Sequence, residues 1–306
     1  MSLDSKWIQD LSADQPVSEF ARRVLQSRLS AVWHWLPLAA QRNEEDAEHV
    51  HQLRVAVRRA VAALRMFRKL IPNTLYNGSR ERLCEMRRSA DGARNWDVFA
   101  DYLSQSKRCA SQIACEQILA GVKARRVESQ QQIVSMHRRA VEDSFEQQAA
   151  ELIKQVRFSP KRPDQAEPTL GRRATKYLRR MAKRFWLAAE ADLSETAALH
   201  ALRICGKKLR SSIEILAPAF GRGFRTKLYR RVEQIQERLG QINDHVTALA
   251  NLGPWMAMSK DSGEKRCLSE LISIEEAALD ESRAAFYDWW TPRRIEKLKR
   301  RLKKYL

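Results

Sequence analysis

The chain has 306 residues, 44% of them hydrophobic, which is enough for one large or two medium domains with a packed core. Its 56 Lys and Arg stand against 37 Asp and Glu, a net charge of +19 that favours a polyanionic partner: nucleic acid, an anionic membrane surface or a phosphate polymer. No stretch approaches the ~18 apolar residues of a membrane span. The N-terminus, MSLDSKWIQD, carries neither an apolar run nor a cleavage site, so no signal peptide is read there.

Glycine and proline are sparse, apolar residues recur at three and four, and strand-like alternation is absent, so the fold class is all-α. The first helix is expected over Val17 to Leu36, stopped by Pro37, with Phe20, Val24, Leu25, Val32 and Trp35 on its apolar face. Arg28 falls in the middle of that face. An unpaired buried guanidinium is costly, so it must reach a carboxylate or point into a ligand cavity. Asn43 to Asp46 then supply acidic N-terminal caps for the next helix.

That helix opens on His51-Gln-Leu-Arg54-Val55-Ala-Val-Arg58-Arg59 and ends at Leu70-Ile71-Pro72. At about 100° per residue, His51, Arg54, Arg58 and Arg65 share one stripe, and Leu53, Val57, Ala60, Leu64 and Phe67 share another. Further helices are expected over Leu75 to Ala90, Arg94 to Gln105, and Cys109 to Phe158. Ser159 to Pro168 holds three prolines in ten residues, which block a helix and favour an extended linker. The reading is therefore a first half over 1–158, a linker over 159–168 and a second half over 169–306.

The second half opens with a helix from Leu170 to Ala189, with Tyr177, Leu178, Met181 and Phe185 on one side and Arg173, Lys176, Arg180 and Arg184 on the other. Asp192 or Ser194 is expected to cap the next helix, which carries His200-Ala-Leu-Arg203-Ile204-Cys-Gly-Lys207-Lys208 and ends near Pro218. His200, Arg203, Lys207 and Arg210 line one face of it; Leu202, Leu209, Ile213 and Leu216 line the other. Helices follow over Phe224 to Leu239, Asp244 to Ser259 and Glu264 to Trp290, and Pro292 starts a last, strongly basic one. His51 to His200, Arg54 to Arg203 and Arg58 to Lys207 are each 149 residues apart, and Ala90-Asp91…Arg94-Asn95 matches Leu239-Gly240…Asn243-Asp244 at the same offset. Such a register marks an internal duplication. A solvated basic face explains one stripe; it does not require a histidine at the same place in both.

No CxxC pair occurs among Cys84, Cys109, Cys115, Cys205 and Cys267, so reduced thiols in a cytoplasm are expected, with neither a zinc site nor a disulfide frame.

The paired motif, His-x-Leu-Arg-(Val/Ile)-x-x-(Arg/Lys)-(Arg/Lys), resembles that of the CHAD domain, a family of α-helical proteins named for its histidines. Leu239-Gly240-x-x-Asn243-Asp244 and Arg94-Asn95-Trp-Asp97-Val98 support the resemblance, which covers nearly the whole chain. It implies two four-helix-bundle halves related by pseudo-two-fold symmetry around a basic groove or pore. It also implies binding of inorganic polyphosphate and association with polyphosphate granules; the absence of any catalytic signature adds the expectation of a binding module without catalysis or cofactor. Position by position, it assigns His51, Arg54, Arg58 and Arg59 from the first half, and His200, Arg203, Lys207, Lys208 and Arg210 from the second. The chain departs from the pattern at Val61, which matches Arg210; Arg65 compensates in part, while its own counterpart, Glu214, is expected to orient a cation. Ala90-Asp91 replaces the usual Leu-Gly, and Asn95 the aspartate, so the first half is expected to bind less strongly or to hold its turn differently. Arg28, Lys176 and Arg180 are secondary candidates.

A cationic helix face repeats about every 5.4 Å, so successive side chains follow successive phosphates. Arg donates a forked pair of hydrogen bonds to phosphate oxygens. A polyanion beside His51 and His200 raises their pKa, so affinity is expected to weaken as pH rises through about 7. The first rival is a non-specific nucleic-acid binder, but Trp33, Trp35, Tyr177, Phe185 and Trp186 fit core stripes, whereas base stacking needs exposed rings. The second is a metal-dependent phosphohydrolase using Glu45, Asp46, Glu48, His49 and His51. His49 and His51 point to different sides of a helix, and no metal-binding spacing, phosphate loop or triphosphatase signature occurs.

Overall fold

The computed structural model describes residues 5–41, 48–105 and 113–306. Among these the chain is helical, without strands; an isolated antiparallel bridge joins Pro16 and Thr169. The helices in order are α1 (Val17–Gln41), α2 (Glu48–Phe67), α3 (Asn73–Gln105), α4 (Ile113–Glu142), α5 (Phe145–Lys154), α6 (Leu170–Ala189) and α7 (Thr196–Leu216). A π-helical turn (Phe224–Tyr229) then runs into α8 (Arg230–Met258), followed by α9 (Ser262–Trp289) and α10 (Pro292–Lys303).

The stripes read from the sequence are the ones that bury. Leu53, Val57, Ala60, Leu64 and Phe67 of α2 are all buried, as are Leu202, Leu209, Ile213 and Leu216 of α7. They enter one core with Phe20, Leu25, Phe185 and Phe224, so both halves contribute to it. A second core joins Phe99, Leu103, Ile118 and Val122 of α3 and α4 to Leu252, Trp255, Leu268 and Leu271 of α8 and α9.

Helix order repeats along the chain. Within the halves α1 packs on α2, α2 on α3 and α3 on α4, and likewise α6 on α7, α7 on α8 and α8 on α9. The principal contacts between halves join counterparts: α1 with α6, α2 with α7, and α4 with α9. The starts of α1 and α6 are tied the same way. Val17 N–H donates to Pro168 O (3.0 Å), Leu170 N–H to Gln15 O (3.0 Å), and the Glu167 carboxylate accepts from Ser18 N–H (2.6 Å). The proline-rich segment therefore docks at its far end rather than remaining a free spacer.

Several boundaries differ from expectation, each for a physical reason. Pro37 does not stop α1: Leu36, Ala39 and Ala40 are buried, and Gln130 Nε2 of α4 donates to Ala39 O and Ala40 O (2.8 and 3.1 Å), satisfying carbonyls at the helix end. The expected breaks near 90–94 and 239–244 are absent. Ala90 and Ala93 are fully buried, as is Leu239, and packing carries both helices through. The expected helix over Cys109 to Phe158 breaks instead at Ser144, whose φ of 52° is left-handed. The turn lets Phe145, Ala149 and Leu152 of α5 bury against α1 and α3. Asp192 accepts from Ser194 N–H (3.0 Å) ahead of α7, where Glu195 takes the N-cap position without capping through its side chain. The caps expected at Asn43 to Asp46 lie outside the described residues. Cys84 and Cys205 are free, but Cys267 is disulfide-bonded, which corrects the reading of uniformly reduced thiols; spacing along a chain does not say which sulfurs helix packing brings together.

Candidate functional site

The contact of α2 with α7 brings cations of the two copies into one group. Arg54 and Arg58 of α2 and Arg203 and Lys207 of α7 are all half-buried; Lys207 lies in the electrostatic field of the other three, and Arg58 and Arg203 each lie in that of Arg54. Packing explains the placement: the apolar stripes of both helices face the core, so the neighbouring stripes meet at its edge.

Arg54 is neutralised by an ion pair with Asp91 of α3, which also lies 3.8 Å from Arg87. The other three cations have no carboxylate within 4 Å among the described residues. Arg58 Nε and Arg203 Nε are buried without a hydrogen-bond partner. Burial, and then the neighbouring Arg210, lowers the Arg58 pKa to about 10. Burial lowers Arg203 as well, against the pull of Asp244. Lys207 falls furthest, to about 7, through burial and then the repulsion of Arg203, Arg58 and Arg54. Asp244 of α8 is raised by desolvation despite Arg203, Lys207 and Arg54 around it. The arrangement stores unbalanced positive charge where water is scarce, which suits an anion with oxygens on several sides.

A second, deeper network lies alongside. The Glu214 carboxylate, 2% exposed, lies 3.4 Å from Arg59 and 3.5 Å from Arg210 and accepts a hydrogen bond from Tyr229 Oη at 2.9 Å. Burial and the nearby Glu214 push the Tyr229 hydroxyl well above its ordinary pKa. Glu214 thus orients two cations, one from each half, as its place in the repeat suggested. Arg28 reaches no carboxylate within 4 Å among the described residues, and it lines a small cavity with Trp35, Gln52 and Arg59. It donates to Ser5 O and Lys6 O (2.9 and 2.8 Å), pinning the N-terminal segment over the core, and burial followed by Arg59 lowers its pKa to about 10.

The remaining candidates disperse. His51 stands beside Arg54, Arg58 and Arg94, and burial lowers its pKa. His200 is exposed on the first turns of α7, without a hydrogen bond or ion pair among the described residues. Arg65, Lys208, Lys176 and Arg180 are exposed. Lys176 lines a separate cavity of about 950 Å³ beside the 159–168 segment. Sequence reasoning missed Asp91, Arg94 and Asp244 as members of the cluster. The signal was present in the repeated 90–95 and 239–244 motifs, but they read as turns, and a turn would have aimed these side chains elsewhere. No group of three or more His, Cys, Asp or Glu comes together as a metal site among the described residues, and Glu45 and Asp46 lie outside them.

Comparison with known proteins agrees with this architecture. No curated protein sequence matches the chain. The fold is similar to the crystal structure of the CHAD domain from the plant Ricinus communis, with a TM-score of 0.69 and 20% identity over 90% of this chain and 93% of that one. It is also similar to PptA from Streptomyces chartreusis, with a TM-score of 0.66 and 16% identity over 90% of this chain and 99% of that one. A family model described as the CHAD domain matches residues 7–253, and by that match the chain belongs to the CHAD domain family.

Proposed function

We propose that the chain binds inorganic polyphosphate through the cations where α2 meets α7. One observation carries the reading: Arg58, Arg203 and Lys207, drawn from both copies, are half-buried together without a carboxylate within 4 Å among the described residues. Such a group is unfavourable when empty and is relieved by an anion that offers several charges in a row. Arg58 and Arg203 would each give forked hydrogen bonds, Lys207 a mobile charge, and Arg54 would join by exchanging Asp91 for phosphate. Arg59 and Arg210 support the site from behind through Glu214. His51 lies at its edge; the exposed His200, Lys208 and Arg65 would meet the flanking chain.

A linear inorganic polymer suits the site better than a nucleic acid. Among the rings weighed for base stacking, Phe185 is buried and Trp33, Trp35, Tyr177 and Trp186 pack against the core. The reading is one of binding without catalysis, with a cytoplasmic location at polyphosphate granules, which granule fractionation tests. Among the described residues no helix is long and apolar enough to cross a membrane.

The decisive experiment titrates the chain with polyphosphates of defined length at two salt concentrations, beside Arg54→Glu/Arg203→Glu. Wild type should bind long chains with a steep salt dependence, the variant should lose at least tenfold, and polyphosphate should displace RNA at equal phosphate concentration. Equal binding by wild type and variant, or displacement only in the reverse direction, removes the proposal.

A further inference from the structure

A second cationic surface lies away from the α2–α7 cluster. The cavity of about 950 Å³ is walled by the turn after α2, the proline-rich segment and the first turns of α6. Six of its residues are cations: Arg68, Lys69, Lys161, Arg172, Arg173 and Lys176. Its only carboxylate, Glu167, is committed to Ser18 N–H at 2.6 Å. None of the six cations has a carboxylate within 4 Å among the described residues. On α6, Lys176 is four residues from Arg172 and three from Arg173, so it neighbours both, and all three line the cavity. The cavity falls in the range that takes small ligands, roughly 300–1,000 Å³.

We propose that this groove is an independent site for short inorganic phosphate chains, separate from the α2–α7 cluster. The wall chemistry selects the ligand. Of the two aromatic rings in the wall, that of Phe158 has Arg173 over it at 6.0 Å, so a guanidinium already covers that face. The Tyr177 ring is engaged in a T-shaped contact with Phe67 at 6.3 Å. These contacts leave little for a base to stack upon, whereas cations on three sides serve a run of phosphates. The first N–H groups of α6 are not the binding element, because Leu170 and Gly171 donate to Gln15 O and Ala13 O (3.0 and 2.8 Å). The site is built from side chains that the duplication did not copy: it needs the 159–168 connection, which occurs once.

The test uses tripolyphosphate and isothermal titration on four forms of the whole chain. They are wild type, Lys161→Ala/Arg172→Ala/Lys176→Ala in the groove, Arg58→Gln/Arg203→Gln in the α2–α7 cluster, and Arg293→Ala/Lys297→Ala/Lys303→Ala on α10 as a charge-matched control. The groove variant should lose one class of site, weakened at least tenfold, and keep the other. The α10 control should keep both, and circular dichroism should show all four folded. A groove variant with the wild-type isotherm, or an α10 control that loses as much, overturns the proposal. The α2–α7 variant should lose only the other class, so the two readings fail separately.

Discussion

At the scale of single residues, the two copies differ in how they treat equivalent arginines. Asp91 pairs with Arg54, but the residue at the matching place in the second copy is Gly240, where an added Cβ would meet nothing within 4 Å. Arg203 has no carboxylate within 4 Å among the described residues. The first half is therefore self-quenched and the second open. Removing the quench by Asp91→Ala should tighten polyphosphate binding by several-fold, the ~1 kcal/mol scale of a half-exposed pair. Gly240→Asp should weaken it comparably, and matched titrations at one salt concentration check both. Lys207 supplies a pH signature. With its pKa at about 7 in the empty site, a bound polyanion favours the charged form, so binding takes up a proton. Affinity should be highest below pH 7 and fall as pH rises through it. The stability of the empty protein should run the other way. Folding lowers this pKa from the ordinary 10.5, so the unfolded chain holds more protons between about 7 and 10.5. The contribution of Lys207 to stability therefore rises across that window and is least below pH 7. Lys207→Met should flatten both profiles. If His51→Ala/His200→Ala flattens the binding profile while Lys207→Met leaves it, the titrating group is a histidine, as the sequence suggested.

Among the elements, the turn between α4 and α5 holds a non-glycine residue in the left-handed region, which costs about 1 kcal/mol or more. Ser144→Gly should raise stability by about that amount and Tm by a few degrees, as thermal denaturation would show, without touching binding. The cost is tolerated because the turn lets Phe145 bury, which continuing α4 would forbid. That turn was illegible in the sequence, where neither glycine nor proline marks it. Pro37 misled in the opposite sense: a local rule predicted an end, and Gln130, ninety residues on, satisfied the helix carbonyls instead. By contrast the apolar stripes of α2 and α7 were fully legible, because periodicity of burial is a property of one helix alone. The cationic stripes were legible in part for the same reason. Their membership at the site was not, since Asp91, Arg94 and Asp244 come from α3 and α8, and which helix packs beside which is not written in any local period. Glu214 shows what the repeat adds: its place opposite Arg65 marked it as an orienting group, and it holds Arg59 and Arg210. Glu214→Gln should cost roughly 3–5 kcal/mol, the penalty for leaving buried cations uncompensated, read as a drop in Tm.

For the molecule as a whole, the consequence of duplication is mutual dependence rather than two independent bundles. Phe20, Leu64 and Phe67 from the first copy share a core with Phe185, Leu202 and Phe224 from the second, and the second core is likewise drawn from both. Neither half can bury its apolar surface alone, because the face that α2 turns to α7, or α4 to α9, would be left in water. The full chain should therefore unfold in one cooperative transition, with coincident signals from the tryptophans and from helical circular dichroism. A fragment ending at Phe158 should be molten or aggregated, showing helix without a sharp melting transition. The same joint carries the proposed site, so ligand and fold are coupled. Polyphosphate that holds Arg54, Arg58, Arg203 and Lys207 together relieves their repulsion only in the folded chain. At 100 times its Kd it should add about 2.7 kcal/mol of stability and raise Tm in step with concentration. The Arg58→Gln/Arg203→Gln variant separates this coupling from general charge screening. It should melt higher than wild type when empty, having lost the repulsion, and gain little from polyphosphate. A variant whose Tm rises with polyphosphate as steeply as wild type would show that the stabilising contacts lie elsewhere on the surface.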